Sequence, residues 1–211
     1  MWYCNRQWRL LLLSFVGLFL GACSVKPPVA VDYNVEPLWQ QRLAALERLA
    51  VWSFDGRIAV RDGRQAWNAK ISWAQRDVSY DILIAAPFGQ GAARLSGQPG
   101  RALIDVSGRA PLVAEDPGAL LSEQLGWAVP VAALQYWLTG RPDPQASAAL
   151  SWDELGRVIQ LDQSGWTVTY KRYDEGEHTP GGVSLPTKIE LVKRDLRIKI
   201  VVDQWHVGPD E

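Results

Sequence analysis

From Ser24 to the C-terminus the chain contains no cysteine; its two cysteines are Cys4 and Cys23. No disulfide can therefore hold the downstream domain together, and packing must do so. Histidine is as scarce. His178 and His206 are the only two, and no HExxH, CxxC or similar ligand spacing surrounds them. No Gly-x-Ser-x-Gly elbow, P-loop or GxGxxG occurs, and the carboxylates are scattered. The sequence thus offers no catalytic residues, no metal site and no cofactor motif, and it reads as a non-enzyme. Charge of one sign is also missing: the net charge is −1 over 211 residues. The basic residues are dispersed, so no nucleic-acid partner is expected.

Long apolar runs are limited to one, Leu10 to Leu20, behind Arg6 and Arg9. It falls short of the about 20 apolar residues a transmembrane helix needs, and it has the length of a signal-peptide h-region. Leu20-Gly21-Ala22-Cys23 follows directly and reads as a bacterial lipobox. Three segments are expected on that reading. Residues 1–22 are a lipoprotein signal peptide that is removed. Residues 23–36, with Cys23 lipidated and Pro27-Pro28 extended, are an anchor and tether. Residues 37–211 are the folded domain. Ser24, which is not Asp, is permissive for transport to the outer membrane, so a palmitate-bearing anchor on its periplasmic face is expected.

What the chain has in plenty is tryptophan: eleven, of which Trp2 and Trp8 precede Cys23 and nine follow it. Such enrichment suits large apolar surfaces or an apolar cavity. Pro37 to Val51 has helical spacing, with Trp39, Leu43, Leu46 and Ala50 as the apolar stripe and Gln40, Gln41, Arg42, Glu47 and Arg48 mostly opposite. From Ser53 the period becomes two. Strands are expected at Ser53–Arg61, Gln65–Gln75, Ser79–Ala85, Gly91–Leu95, Arg101–Val106 and Ala110–Val113. Asp62-Gly63 is a hairpin signal. Helices from Asp116 to about Leu125 and from Pro130 to Leu138 interrupt the strands, with Gly140 as a stop. Strands resume at Val158–Gln163, Gly165–Tyr173, Leu185–Lys193 and Leu196–Val202. The sum is ten or eleven antiparallel strands, either closed round a cavity or open with helices over one face.

Two features suggest sites. Pro87-Phe88-Gly89 places one large aromatic in a loop, where it either folds into the core or makes an exposed tip. The alternating residues Trp67, Ile71, Trp73, Ile82, Ile84, Leu134, Trp137, Trp166 and Val168 are candidates for lining a cavity, and each also fits a plain core position. Face assignment from period alone reverses on a one-residue slip.

Short ordered matches then carry a family resemblance. They are Leu38-Trp39-Gln40, Gly56, Trp73-Ala74-Gln75, Pro87-Phe88-Gly89, Gln98-Pro99-Gly100, Tyr136-Trp137-Leu138-Thr139-Gly140 with Pro142, Gly165 to Tyr170, Tyr173-Asp174, Arg197 to Ile200 and Asp203-Gln204-Trp205. Behind a lipobox, this series resembles the LolB family of outer-membrane lipoprotein receptors in Gram-negative bacteria. The resemblance implies an incomplete, open antiparallel β-barrel of about eleven strands, with short helices forming a lid over an apolar cavity. It implies a monomer that accepts acylated cargo lipoproteins from the periplasmic chaperone LolA and inserts them among outer-membrane lipids. It also implies that Phe88, where the family carries Leu, protrudes and meets the membrane. The alternatives are another lipid carrier or a structural envelope-assembly lipoprotein.

Overall fold

The computed structural model describes residues 35–63, 65–87, 91–115, 118, 129–176, 179 and 182–208. Apart from Gly118, the expected helix from Asp116 to Leu125 lies outside the described residues, as do the signal peptide, Cys23 and nearly all of the tether, and Phe88 and Gly89.

Eleven strands form one antiparallel sheet. β1 (Val51–Asp62), β2 (Gln65–Arg76), β3 (Ser79–Ala85), β4 (Ala92–Gln98), β5 (Arg101–Val106) and β6 (Leu112–Ala114) precede β7 (Ala148–Trp152), β8 (Val158–Gln163), β9 (Trp166–Tyr173), β10 (Pro186–Lys193) and β11 (Leu196–Val207). Their spatial order is β6-β5-β4-β3-β2-β1-β11-β10-β9-β8-β7. Two meanders thus meet where the first strand pairs with the last. The ends β6 and β7 remain apart, so the sheet is open. Helix α1 (Glu36–Leu46) leads into β1, and α2 (Val131–Leu138) comes between the meanders.

Strict alternation sets the faces. In β1, Trp52, Phe54, Ile58 and Val60 are buried, while Asp55, Arg57, Ala59 and Arg61 are exposed. β11 repeats this with Ile198, Ile200 and Val202 inside and Arg197 and Lys199 outside. Period two with one buried face is what a half-covered antiparallel sheet demands. Gly56 interrupts the pairing. The register with β11 shifts between Asp55 and Gly56, and a Cβ at 56 would collide with the Val201 carbonyl oxygen. The bulge bends β1 and β11 together and turns Trp205 inward opposite Phe54. Trp52, Phe54, Trp73 and Trp205 then form an aromatic cluster, with ring centroids 5.2–6.4 Å apart.

Four expectations change. The first helix ends at Leu46, not Val51, because Val51 and Trp52 are already paired with Arg76 and Gln75. Leu49 is consequently buried and Ala50 exposed. Arg42, expected on the polar side, is buried. Its guanidinium donates to the Ser184 carbonyl and hydroxyl, and it stacks on Tyr173 at 5.1 Å while Arg157 stacks at 5.2 Å. β7 was not expected, and β11 continues five residues past Val202, since pairing with β1 sustains it to Val207.

Candidate functional site

The α2 sequence Val-Ala-Ala-Leu-Gln-Tyr-Trp-Leu is apolar on nearly every side, and Val131, Ala133, Leu134, Trp137 and Leu138 are buried. Pro130 starts it, and its carbonyl accepts from the Ala133 and Leu134 amides. It ends at Leu138, and just past its cap Gly140 takes a φ of 86°, open to glycine at no steric cost.

Between α2 and the sheet lies an apolar cavity of about 60 Å³. Ile71 and Trp73 of β2, Ile82 and Ile84 of β3, and Leu134 of α2 line it. So do Ile58, Ala93, Leu95, Ile104, Val129, Val131, Ile198 and Ile200, which sequence reasoning did not single out. The inward alternation of β1, β4, β5 and β11 was the signal that could have found the strand members.

The remaining candidates do not line this void. Trp137, Trp166 and Val168 are packed in the core under the other meander, with the Trp137 and Trp166 rings 6.1 Å apart. Trp67 is half-buried and borders a separate open pocket. Its alternation is right, but it stands too near the end of β2 for α2 to cover it. Pro87 is exposed, and the Ala86 amide donates to the Gly91 carbonyl at 2.9 Å, closing the base of the loop.

Polar groups beside the cavity are satisfied by each other. The Trp73 indole N–H donates to Gln75 Oε1 at 3.0 Å. Gln75 Nε2 donates to the Asp77 carbonyl and to Gln135 Oε1, and Gln135 Nε2 to the Ala132 carbonyl. This chain ties β2 to α2 without leaving a polar atom that would draw in water. At the other end of α2, the Trp137 indole donates to Gln163 Oε1, and the Tyr170 hydroxyl to the Trp137 carbonyl. Burial holds the Tyr170 and Tyr173 phenols well above the ordinary value of 10.0, so both remain neutral donors.

Chemically, the site can shelter apolar matter and little else. An all-hydrocarbon void stays dry. About 60 Å³ equals roughly two waters' share of liquid volume. An acyl chain is far larger, so it can enter only if the covering side chains separate.

Comparison with known proteins bears on what such a site holds. Residues 50–205 match the family model described as "Outer membrane lipoprotein LolB". The chain is 36% identical over 198 residues to an outer-membrane lipoprotein LolB of Ectopseudomonas mendocina, covering 93% of this chain and 95% of that one. It is 37% identical over 196 residues to the same-named protein of Pseudomonas aeruginosa, covering 92% and 94%. Among solved structures, a LolA-superfamily protein of Nitrosomonas europaea superposes with a TM-score of 0.52 at 9% identity, over 84% of this chain and 94% of that one. That last likeness concerns the fold alone.

Proposed function

The chain belongs to the LolB family of outer-membrane lipoproteins, and on that premise we propose that its cavity accepts the acyl chains of cargo lipoproteins from the chaperone LolA and releases them into the outer membrane. The protein is an outer-membrane lipoprotein receptor acting in lipoprotein localisation. The single observation that carries the finer reading is the apolar void between α2 and the inner face of the sheet.

The physics is simple. A free acylated cargo would expose its chains to water at about 0.8 kcal/mol per methylene. A cavity that opens against a similar cavity passes them without that exposure. No nucleotide is required: a difference of about 1.4 kcal/mol biases transfer tenfold, and the bilayer is the final sink. Opening exchanges contacts among Val129, Val131, Leu134 and the sheet for contacts with the cargo, so its net cost is reduced by what enters.

Cys23 carries the lipid anchor and residues 23–36 the tether, with the protein a monomer on the periplasmic face. Phe88, between Pro87 and Gly89, contacts the bilayer during release. Phe for Leu keeps the tip apolar and adds ring area.

A transfer assay tests this directly. Radiolabelled lipoprotein loaded on the chaperone is mixed with this protein, and then with liposomes. Acceptance followed by delivery is expected. Failure to accept removes the reading. Phe88→Glu is expected to accept cargo yet not deliver it, and normal delivery would remove the role given to the loop. Cys23→Ala is expected to lose stable membrane attachment and still accept cargo.

A further inference from the structure

The second pocket lies at the hairpin end of the sheet, mostly on its outer face with Val60 and Trp67 also reaching it, and α2 and the cavity play no part. It encloses about 670 Å³ near the β1–β2 and β10–β11 hairpins. Ala59 and Ala66 make a low floor. Arg61, Arg194, Arg197 and Lys199 line it, with Asp195 as its one acid. The pocket exists because two small residues on that face are flanked by long cationic ones.

Its charge is costly to the fold. Arg61 is directly opposite Arg197 in the β1–β11 ladder, and Lys199 is opposite Ala59 one step on. Like charges directly opposite each other in a sheet are destabilising. Arg197 is relieved by Glu190 at 2.6 Å, and Lys199 approaches the same carboxylate at 3.8 Å. Arg61 and Arg194 have no acidic partner among the described residues. One glutamate is thus shared by two cations while two more stand open to water.

The topology says where this cluster points. Pro87 is two residues past Ala85, whose partner in β2 is Lys70; Lys70 is two residues from Asn68, which borders the pocket. The chain therefore crosses from β3 to β4 at the end of the sheet that carries the cationic pocket, one strand away. Lys70 is exposed on the same face and adds to the charge. The loop's proposed apolar tip and an anion-seeking surface share one end of the molecule.

We infer that the pocket bounded by Arg61, Arg194, Arg197 and Lys199 engages anionic phospholipid headgroups at the leaflet surface, orienting the sheet end that bears the Pro87 loop toward the bilayer. This deepens the delivery reading and rests on it for direction. Each surface cation near an anionic leaflet adds attraction, which salt screens. A lipid anchor holds the protein at the membrane but leaves it free to rotate on its tether. The pocket removes that freedom.

The test uses the mature chain with Cys23→Ala, whose described core lies wholly between Trp39 and Trp205. Flotation is measured with vesicles of phosphatidylethanolamine alone or with added phosphatidylglycerol, and no cargo is present. Stronger binding to the anionic vesicles, weakened by salt, is expected. Arg61→Gln with Arg197→Gln is expected to lower that binding about thirty-fold, which is about 2 kcal/mol at 1.4 kcal/mol per decade. Glu190→Gln is expected to raise it. Arg48→Gln, an exposed cation before the opposite end of β1, is expected to leave it unchanged. Equal binding to both vesicle types, or an unaffected double variant, overturns the inference. So does a double variant that floats normally but takes up cargo poorly from the chaperone, since the pocket would then be a protein-docking surface. Because the assay holds no cargo, normal delivery by Phe88→Glu would leave its outcome untouched.

Discussion

The Trp137 indole N–H donates to Gln163 Oε1 at 2.7 Å, joining α2 to the end of β8. Gln163 also accepts from the Asp143 amide and donates to the carbonyls of Asp143 and Ala146. One buried side chain therefore fixes the helix and the chain that follows it. Gln163→Leu keeps the volume and strands up to four polar groups. The expected loss is about 3 kcal/mol, by the cost of unmet buried hydrogen bonds. Urea unfolding should show a lower midpoint with an unchanged slope; a shift within error would mean that water replaces the amide.

The cavity reading is tested by filling it. Leu134→Trp adds bulk where α2 faces Ile104 and Leu95. Overpacking is expected to cost about 1–3 kcal/mol of stability, while cargo acceptance falls steeply in the transfer assay. Full acceptance by a folded variant would place the acyl chains elsewhere.

Arg42 anchors α1 through Ser184 and the Tyr173 ring. Burial lowers its affinity for a proton, but from a starting value of 12.5, so it is charged at neutral pH. Arg42→Ala is expected to cost about 2 kcal/mol, as for hydrogen bonds to a charged group. Proteolysis within 36–46 should accelerate. Unchanged cleavage would show that Trp39 and Leu46 hold the helix by themselves.

Tyr173 gives a pH dependence. Its hydroxyl donates to the Val158 carbonyl at 2.6 Å, and burial raises its pKa above 10.0 while Arg42 opposes the rise. The folded state thus binds the phenolic proton more tightly than the unfolded chain. Stability from this group is complete below pH 10 and declines as pH rises beyond it. Tyr173→Phe should cost about 1 kcal/mol near neutrality and flatten the alkaline decline. Thermal melts across that range would show the flattening, and parallel curves would contradict it.

Gly56 is the simplest backbone test. Its missing Cβ admits the Val201 carbonyl at the bulge. Gly56→Ala is expected to destabilise by about 1–3 kcal/mol, as for other forced overpacking, and near-UV circular dichroism from the Trp52, Phe54 and Trp205 cluster should change with it.

Much of the sheet was legible in advance. β3, β5 and β8 have the bounds that alternation and turn residues implied, because recognisable turns bracket each, even though an irregularity against β7 breaks the alternation of β8. β7 escaped notice: Ala-Ala-Leu-Ser-Trp follows two prolines, has weak strand propensity, and owes its conformation to β8. Arg42 escaped because helical period marks a charged residue as outward, whereas here a tertiary aromatic and a carbonyl receive it. Period directs Trp137 and Trp166 inward but says nothing about where along the inner face a side chain lies, and neither borders the void.

The sequence by itself determined the alternation, the turns, the poverty of catalytic groups and the lipobox before Cys23, since each is written in contiguous residues. Only the tertiary structure decided which inward residues border a void and which are sealed. That depends on where α2 lies across the strands. It also decided that Arg61 and Arg197, 136 positions apart, face each other. Dispersed charges became one surface because the last strand pairs with the first, and such pairing is a long-range choice that no local pattern encodes.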